Sequence, residues 1–369
     1  MRIPHLGLKG FPARFGADRA AEAVIRRLSD RHEITVYCSS GYTLADASLP
    51  GVHLIRIPNL PGKYTHMTSV DFLAAWHAVL YGNYQLIHLH NIEASFVLPL
   101  LKLKYPVITT ARGRITPGNK WGKMASALMR SMELPYVLWS DVATSVSRPH
   151  AEHFSATFHH PVTWIPNGVE TSPNIDDEAA QNLLLSHQAP AQGYILFAAG
   201  RIIPLKGIHL LLEAFRTIPG NHHLIVVGDL SHSPQYALEL QSLADSRVTF
   251  IPFIPSPAIL LGVVRRSCLF VFPSLFEGMS NMLLEVASIG TPILCSDISA
   301  NTAVLPAQAL LFSSGSAEDL AVKLQWALAH SSAMQHSGLL IQAFVHEKYS
   351  WDVVANTYEQ LYLKVINHS

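Results

Sequence analysis

The stretch YILFAAGRIIPLKGIHLLLEAF, residues 194–215, decides the fold. It opens on an apolar run ending in glycine and closes on apolar side chains at helical spacing, with His209 and Glu213 off that stripe. A proline-containing loop, RIIPLKG, joins the two. A buried strand that passes through a short loop into an amphipathic helix is half of a parallel β-α-β unit. The same rhythm extends both ways. Before it stand RIPHLGL, ITVYC, VHLIRI, QLIHLH and PVITTA, interleaved with ADRAAEAVIRRLSDR, SVDFLAAWHAVLYG and ASFVLPLLKLK. After it come HLIVVG, VTFIPF, CLFVFPS, PILCS and ALLF, separated by YALELQSLA, AILLGVVRR and MLLEVASIG. Strands alternating with helices of this length predict an α/β protein whose parallel sheets are covered on both faces.

At 369 residues the chain exceeds what one core organises, so two doubly wound, Rossmann-like domains are expected. Between the two runs of elements lies WIPNGVETSPNIDDEAAQNLLLSHQAPAQG, residues 164–193, rich in proline and polar side chains. It places the first domain at 1–168, a linker or hinge at 169–192 and the second domain at 193–349. Open parallel sheets bind ligands beyond the carboxyl ends of their strands. Two such sheets facing each other are expected to enclose a central cleft.

Composition narrows the function. Lysine plus arginine equals aspartate plus glutamate at 26 each with no run of like charge, which argues against a nucleic-acid partner. Cys38, Cys268 and Cys295 lie in or beside apolar runs and read as reduced core thiols of a cytoplasmic protein. No signal peptide opens the chain, and its longest apolar run, ASFVLPLL, is too short to span a bilayer. Only 14% of residues are charged, and the mean hydropathy is positive. The segment KWGKMASALMRSMELPYVLW, residues 120–139, sets Lys120, Lys123 and Arg130 among Met, Leu and Trp. It reads either as a core helix with a basic outer face or as a peripheral contact with anionic lipid at the inner face of the membrane.

Chemistry concentrates in two places. Arg201 and Lys206 sit on the loop at a strand's carboxyl end beside a helix amino terminus, a setting that suits a diphosphate. Read singly, each would be a solvated loop cation. In SLFEGMSNMLLEV, residues 274–286, Glu277 also follows a strand, Gly278 lets the chain turn, and Ser280 or Asn281 can cap the next helix. A carboxylate accepts two hydroxyls at once, so Glu277 is placed to grip a sugar and Glu285 a ribose. The 20 histidines include the pairs His88 and His90, His150 and His153, and His222 and His223. None has a carboxylate or cysteine framework at ligand spacing, so no metal is expected. His90, ending QLIHLH, is placed to meet an acceptor.

In combination these residues resemble the retaining GT-B glycosyltransferases of the group 1, or family four, type. The resemblance runs from KGFPARFG (9–16) and HNIEAS (90–95) through NGVE (167–170) and the Arg201, Lys206, Glu277 and Glu285 set to DISAN (297–301) and YSW (349–351). It implies a donor domain at 193–349 and an acceptor-side domain at 1–168, with residues 350–369 packing back on the latter. Carried over by motif, Arg201 and Lys206 hold the diphosphate, Glu277 the donor sugar and Glu285 the ribose. The backbone of Gly278, Met279, Ser280 and Asn281 holds sugar and phosphates, and the loop ending at Gly16 approaches the diphosphate. The implied reaction moves a sugar from a nucleotide-diphosphate sugar to a saccharide or lipid-linked acceptor, with retention, in surface polysaccharide or glycolipid synthesis. No cofactor is implied, and the absence of a DxD triad agrees with metal independence.

One departure stands out. Where the family carries histidine followed by glycine, this chain has Arg112 and Gly113, followed by Arg114, with Lys120, Trp121 and Gly122 in register. Arginine has donors only. Arg112 then either recognises an anionic or deoxy sugar or an acidic acceptor, or it impairs the site. Two rival readings follow: a nucleotide-sugar epimerase on this scaffold, lacking an identifiable acid and base, and a non-catalytic nucleotide-sugar-binding partner.

Overall fold

The computed structural model describes all residues except 14–15, 45, 63–64, 114–126, 128–129 and 369. Two compact units emerge, Met1–Gly168 together with Trp351–Ser369, and Val169–Ser350. In the first, strands β1 (Arg2–Leu6), β2 (Glu33–Ser39), β3 (Val52–Ile57), β4 (Ile87–His90), β5 (Val107–Ala111), β6 (Val142–Ser145) and β7 (Val162–Trp164) form a parallel sheet ordered β3-β2-β1-β4-β5-β6-β7. The second unit repeats the plan with β8 (Ile195–Arg201), β9 (Leu224–Asp229), β10 (Val248–Ile251), β11 (Leu269–Phe272), β12 (Ile293–Ser296) and β13 (Leu310–Phe312), ordered β10-β9-β8-β11-β12-β13. In each sheet the strand order reverses once, between β1 and β4 and between β8 and β11. Loops diverge at such a switch and leave room for a ligand.

Both sheets are covered on each face, as their uninterrupted apolar strands require. In the second unit Phe197, Val226, Val271 and Leu294 pack with Leu211 and Phe215 of the helix Ile208–Arg216. In the first, one face packs the helix Gly16–Leu28 and the C-terminal helix Trp351–His368. That last helix buries Trp351, Val354, Ala355, Tyr358, Tyr362 and Val365, a helical stripe, in the core of the first unit. Arg27 reaches Asp352 at 2.8 Å, and Glu359 takes Arg31 at 2.5 Å and His32 at 2.7 Å, fastening its outer edge.

Two expectations need correction. Residues 169–192, expected as a linker, hold the helix Asp177–Ser186, capped by Asp176 whose Oδ1 accepts from the Ala179 N–H at 3.0 Å. This helix buries Ala180 and Leu184 and packs on the helix Pro257–Arg266, where a Cβ at Gly262 would stand 2.7 Å from the Ala180 Cβ. It is part of the second unit's core. Cys38 and Cys295 are buried thiols as read, whereas Cys268 is exposed where the chain enters β11.

Candidate active site

The loop after β8 and the loop after β11 are stitched together. Leu275 N–H donates to the Leu205 carbonyl at 2.9 Å. Gly207 adopts φ +67°, and a Cβ there would lie 2.0 Å from the Pro273 carbonyl oxygen. Only glycine permits both that conformation and that approach. The stitch delivers Lys206 to Glu277, with Nζ to Oε1 at 2.5 Å and both side chains mostly buried. Ser274, fully buried, donates its hydroxyl to the same Oε1 at 2.8 Å. Lys206 also stands 5.8 Å over the Phe272 ring.

Glu277 Oε1 therefore carries two donors, and Oε2 has no partner among the described residues. Behind it, Ser296 donates to the Ser274 carbonyl at 2.6 Å, and Asn301 Nδ2 donates to the Ser296 carbonyl at 2.9 Å, all three buried. This support keeps Ser274 in one orientation. Sequence reading missed Ser274, Ser296 and Phe272. The signal was present in the serine beginning SLFEG and in the asparagine of DISAN.

The remaining expected residues of this unit fall nearby in the chain. Arg201 ends β8 with its side chain exposed. Ser280 caps the helix Asn281–Ser288 through Oγ to the Leu283 N–H at 3.2 Å. Gly278, Met279, Ser280 and Asn281 are half-buried on that turn, as is Glu285 within the helix.

The first unit concentrates its polar groups at its own switch. His5 on β1 is the register partner of His88 on β4, and His90 follows on the same face. The rings stack, His88 on His90 at 4.1 Å and His5 on His90 at 5.2 Å. Arg112, just past β5, reaches His90 Nδ1 with Nη2 at 3.3 Å. His90 Nε2 meets His5 Nδ1 at 2.9 Å, while His88 meets the Thr110 hydroxyl at 2.7 Å and the Tyr362 hydroxyl at 2.6 Å. Burial holds the His5 pKa down at about 3, helped by the Arg112 charge, and burial likewise keeps His88 and His90 well below the ordinary imidazole range. All three rings are neutral at physiological pH.

Hydrogen-bond direction follows. A guanidinium only donates, so His90 Nδ1 accepts, His90 Nε2–H donates to His5 Nδ1, and the His5 proton lies on Nε2. Among the described residues that buried nitrogen has no partner, nor do Arg112 Nε and Asp18 Oδ2. Burial raises the Asp18 carboxyl to about 6 against a backbone hydrogen bond from Lys9. One nitrogen from each of His5, His88 and His90 lies within 4.8 Å of the others, a spacing that suits a metal. The fit to a cation is poor, because the imidazole nitrogens are engaged with one another and with hydroxyls while a guanidinium stands against His90. Gly16 begins the helix Gly16–Leu28, but Arg14 and Phe15 of its loop lie outside the described residues, as do Arg114, Lys120, Trp121, Gly122 and Lys123.

Two parallel sheets of this order, each with polar side chains at its switch, define the GT-B class. Comparison with known proteins carries this further. A family model described as glycosyl transferases group 1 matches residues 193–330, and one described as glycosyltransferase family 4 matches residues 16–173. The chain is 22% identical over 309 residues to the D-inositol 3-phosphate glycosyltransferase of Xylanimonas cellulosilytica, covering 75% of this chain and 73% of that one. It is 23% identical over 190 residues to the capsular polysaccharide biosynthesis glycosyltransferase CapM of Staphylococcus aureus, covering 50% of this chain and 49% of that one. The Anabaena HepE structure in complex with UDP and glucose shares the fold with a TM-score of 0.78 at 16% identity, covering 99% of this chain and all of that one. The chain belongs to the group 1, family 4 glycosyltransferases.

Proposed function

We propose that this glycosyltransferase moves a sugar from a nucleotide-diphosphate sugar to a hydroxyl of a saccharide or lipid-linked saccharide, with retention of anomeric configuration. Its setting is the cytoplasmic side of surface polysaccharide or glycolipid assembly. The observation that carries the reading is the division of labour at Glu277. Oε1 is held by Lys206 and Ser274, and Oε2 is left to accept sugar hydroxyls. An ammonium has three donors, so Lys206 can keep Glu277 and still take a phosphate oxygen. Arg201 adds a second, exposed cation to the same loop.

These residues then stabilise the leaving group. The bond from the anomeric carbon to the diphosphate oxygen breaks, the charge left on the diphosphate is met by Lys206 and Arg201, and a phosphate oxygen takes the proton of the incoming hydroxyl on the same face. Electrostatic stabilisation of this kind requires neither a protein nucleophile nor a metal. Glu285 takes the ribose, and the Gly278–Asn281 turn takes sugar and phosphates. Arg112 belongs to the acceptor or donor-sugar side; His90, expected from the sequence to meet an acceptor, is instead buried with both ring nitrogens engaged and serves to orient Arg112.

The test is incubation of the full chain with a panel of nucleotide-diphosphate sugars, with and without a chelator, followed by mass spectrometry and proton NMR of the products. Chelator-resistant release of nucleoside diphosphate with an α-linked product from an α-linked donor is expected. Epimerised donor, or a thermal shift with no turnover from any donor, would replace the reading with an epimerase or a binding protein.

A further inference from the structure

The helix Thr65–Tyr81 is built inside out for a soluble protein. Its buried face is Val70, Asp71, Ala74, Ala75 and Ala78, so mostly alanine. Its exposed face carries Phe72, Leu73, Trp76, Leu80 and Tyr81, with Tyr81 76% exposed. An ordinary surface helix points its large apolar residues inward and its charges outward. Here Asp71 is the sole acidic residue along the helix, which carries no Lys or Arg, and it is turned into the core.

The neighbouring elements continue the pattern. The 3-10 helix Ile92–Val97 packs against this helix on one side and against the helix Glu133–Leu138 on the other, so the three form one layer over the sheet. From that layer Leu134, Leu138 and Trp139 are exposed, and Leu103, after the short helix Leu98–Leu101, is 77% exposed. Large apolar residues exposed together on one layer mark a surface that is covered in use.

Charge says by what. Lys104 lies beside Leu80 and Tyr81, its Nζ donating to the Val79 and Gly82 carbonyls at 2.9 Å each. Arg130 is exposed just before the helix Glu133–Leu138, while Lys102, next to Leu103, forms a neutral pair with Asp141. The acids of the layer are withdrawn: Asp71 and Glu133 are buried, Glu93 is half-buried, and Asp141 is held by Lys102 at 2.6 Å. Apolar and indole side chains fringed by cations match the boundary between the acyl chains and anionic headgroups of a bilayer. A second copy fits less well, since a two-fold contact would set Lys104 and Arg130 near their own counterparts.

We propose that this helix layer is a membrane-docking surface for a bilayer bearing anionic headgroups, with Trp76, Leu80 and Tyr81 at its centre. It deepens the lipid-linked acceptor reading but is tested without any sugar, so the two can fail separately. The full chain is mixed with vesicles of phosphatidylcholine alone, or of equal parts phosphatidylcholine and phosphatidylglycerol, and sedimented at low and high salt. Binding is expected with the mixed vesicles, weakened by salt, and reduced about tenfold or more in the double variant Trp76→Ser, Leu80→Ser. Both substituted residues are exposed, so the thermal melting of the variant should match the parent and show that the loss is not unfolding. Three results overturn the proposal: no sedimentation with either vesicle, equal binding to both, or undiminished binding of the double variant. A dimer in analytical ultracentrifugation that the double variant abolishes would assign the face to a second copy instead.

Discussion

Replacing Asp71 by asparagine should make the protein more stable at neutral pH and leave it no better, or worse, in mild acid. Asp71 is 5% exposed, its Oδ1 has no hydrogen-bond partner among the described residues, and burial, with the Glu93 charge adding to it, pushes its carboxyl from 3.8 up to about 8. The folded chain therefore binds a proton that the unfolded chain has released. Stability then falls as pH rises wherever the folded state holds more protons, here from the unfolded value of 3.8 to the folded value of about 8. At pH 7 the span above the unfolded value corresponds to a cost of about 4 kcal/mol. Asparagine matches the shape but buries an amide lacking partners, which takes back about 1 to 3 kcal/mol. A net gain of about 1 to 3 kcal/mol is expected at pH 7. Urea denaturation of parent and variant at a series of pH values measures the difference directly, and groups common to both chains cancel. The variant's advantage should grow by about 3 to 4 kcal/mol between pH 5 and pH 8. An advantage that is flat with pH would mean that Asp71 is ionised in the folded protein, and the account of its burial would be wrong.

Three further outcomes follow from the sites. Lys206→Ala and Glu277→Gln should each lower turnover with the working donor about a hundred- to a thousandfold, because each removes a preorganised partner of the leaving group or sugar. Melting should change little by comparison, and near-parental turnover in either variant would remove that residue from the chemistry. Gly207→Ala should destabilise the second unit by about 3 kcal/mol or more, since it combines a φ of +67° with a contact at 2.0 Å, and should lower donor affinity as the stitched loops part; an unchanged melting curve would contradict the geometry. Nitrogen-15 NMR of the histidines should show His90 and His5 neutral with the proton on Nε2 down to pH 5. A charged signal from either at pH 6 would break the assigned hydrogen-bond direction.

Much of this was legible in the chain because parallel strands buried on both faces leave an apolar signature that helices interrupt at regular intervals. That Lys206 and Glu277 lie close together was legible as well, since each follows a strand at its carboxyl end and the strand order brings those two ends together, whereas their direct ion pair was not expected. The helix Asp177–Ser186 was not, although DDEAAQNLLLS holds an aspartate cap and acids in the first turn; the flanking prolines and polar residues outweighed that signal. His5 escaped for a different reason. It pairs with His88 only through strand register, and no local spacing announces a contact between β1 and β4. Likewise the outward face of the helix Thr65–Tyr81 cannot be read from its residues, because apolar side chains occur all round it and only packing tells which of them the alanines have displaced.

The histidine chain bears on what Arg112 can do. A neutral histidine at this position can accept as well as donate, whereas Arg112 only donates and keeps its positive charge. Its one hydrogen bond among the described residues goes to a neutral ring, so no acceptor carboxylate is bonded to the guanidinium, and its buried Nε is left without a partner. Asp18 acts on Arg112 through space and holds an unpartnered oxygen of its own. The two side chains thus stand as a donor and an acceptor that do not satisfy each other. On the proposed reading, the substrate group that meets Arg112 accepts a hydrogen bond, and one that can also donate, as a sugar hydroxyl does, suits Asp18 as well. Arg112 is bonded to His90, and His90 to His5, in a fixed direction through the buried sheet, and on the proposed reading that chain of bonds orients the guanidinium for substrate.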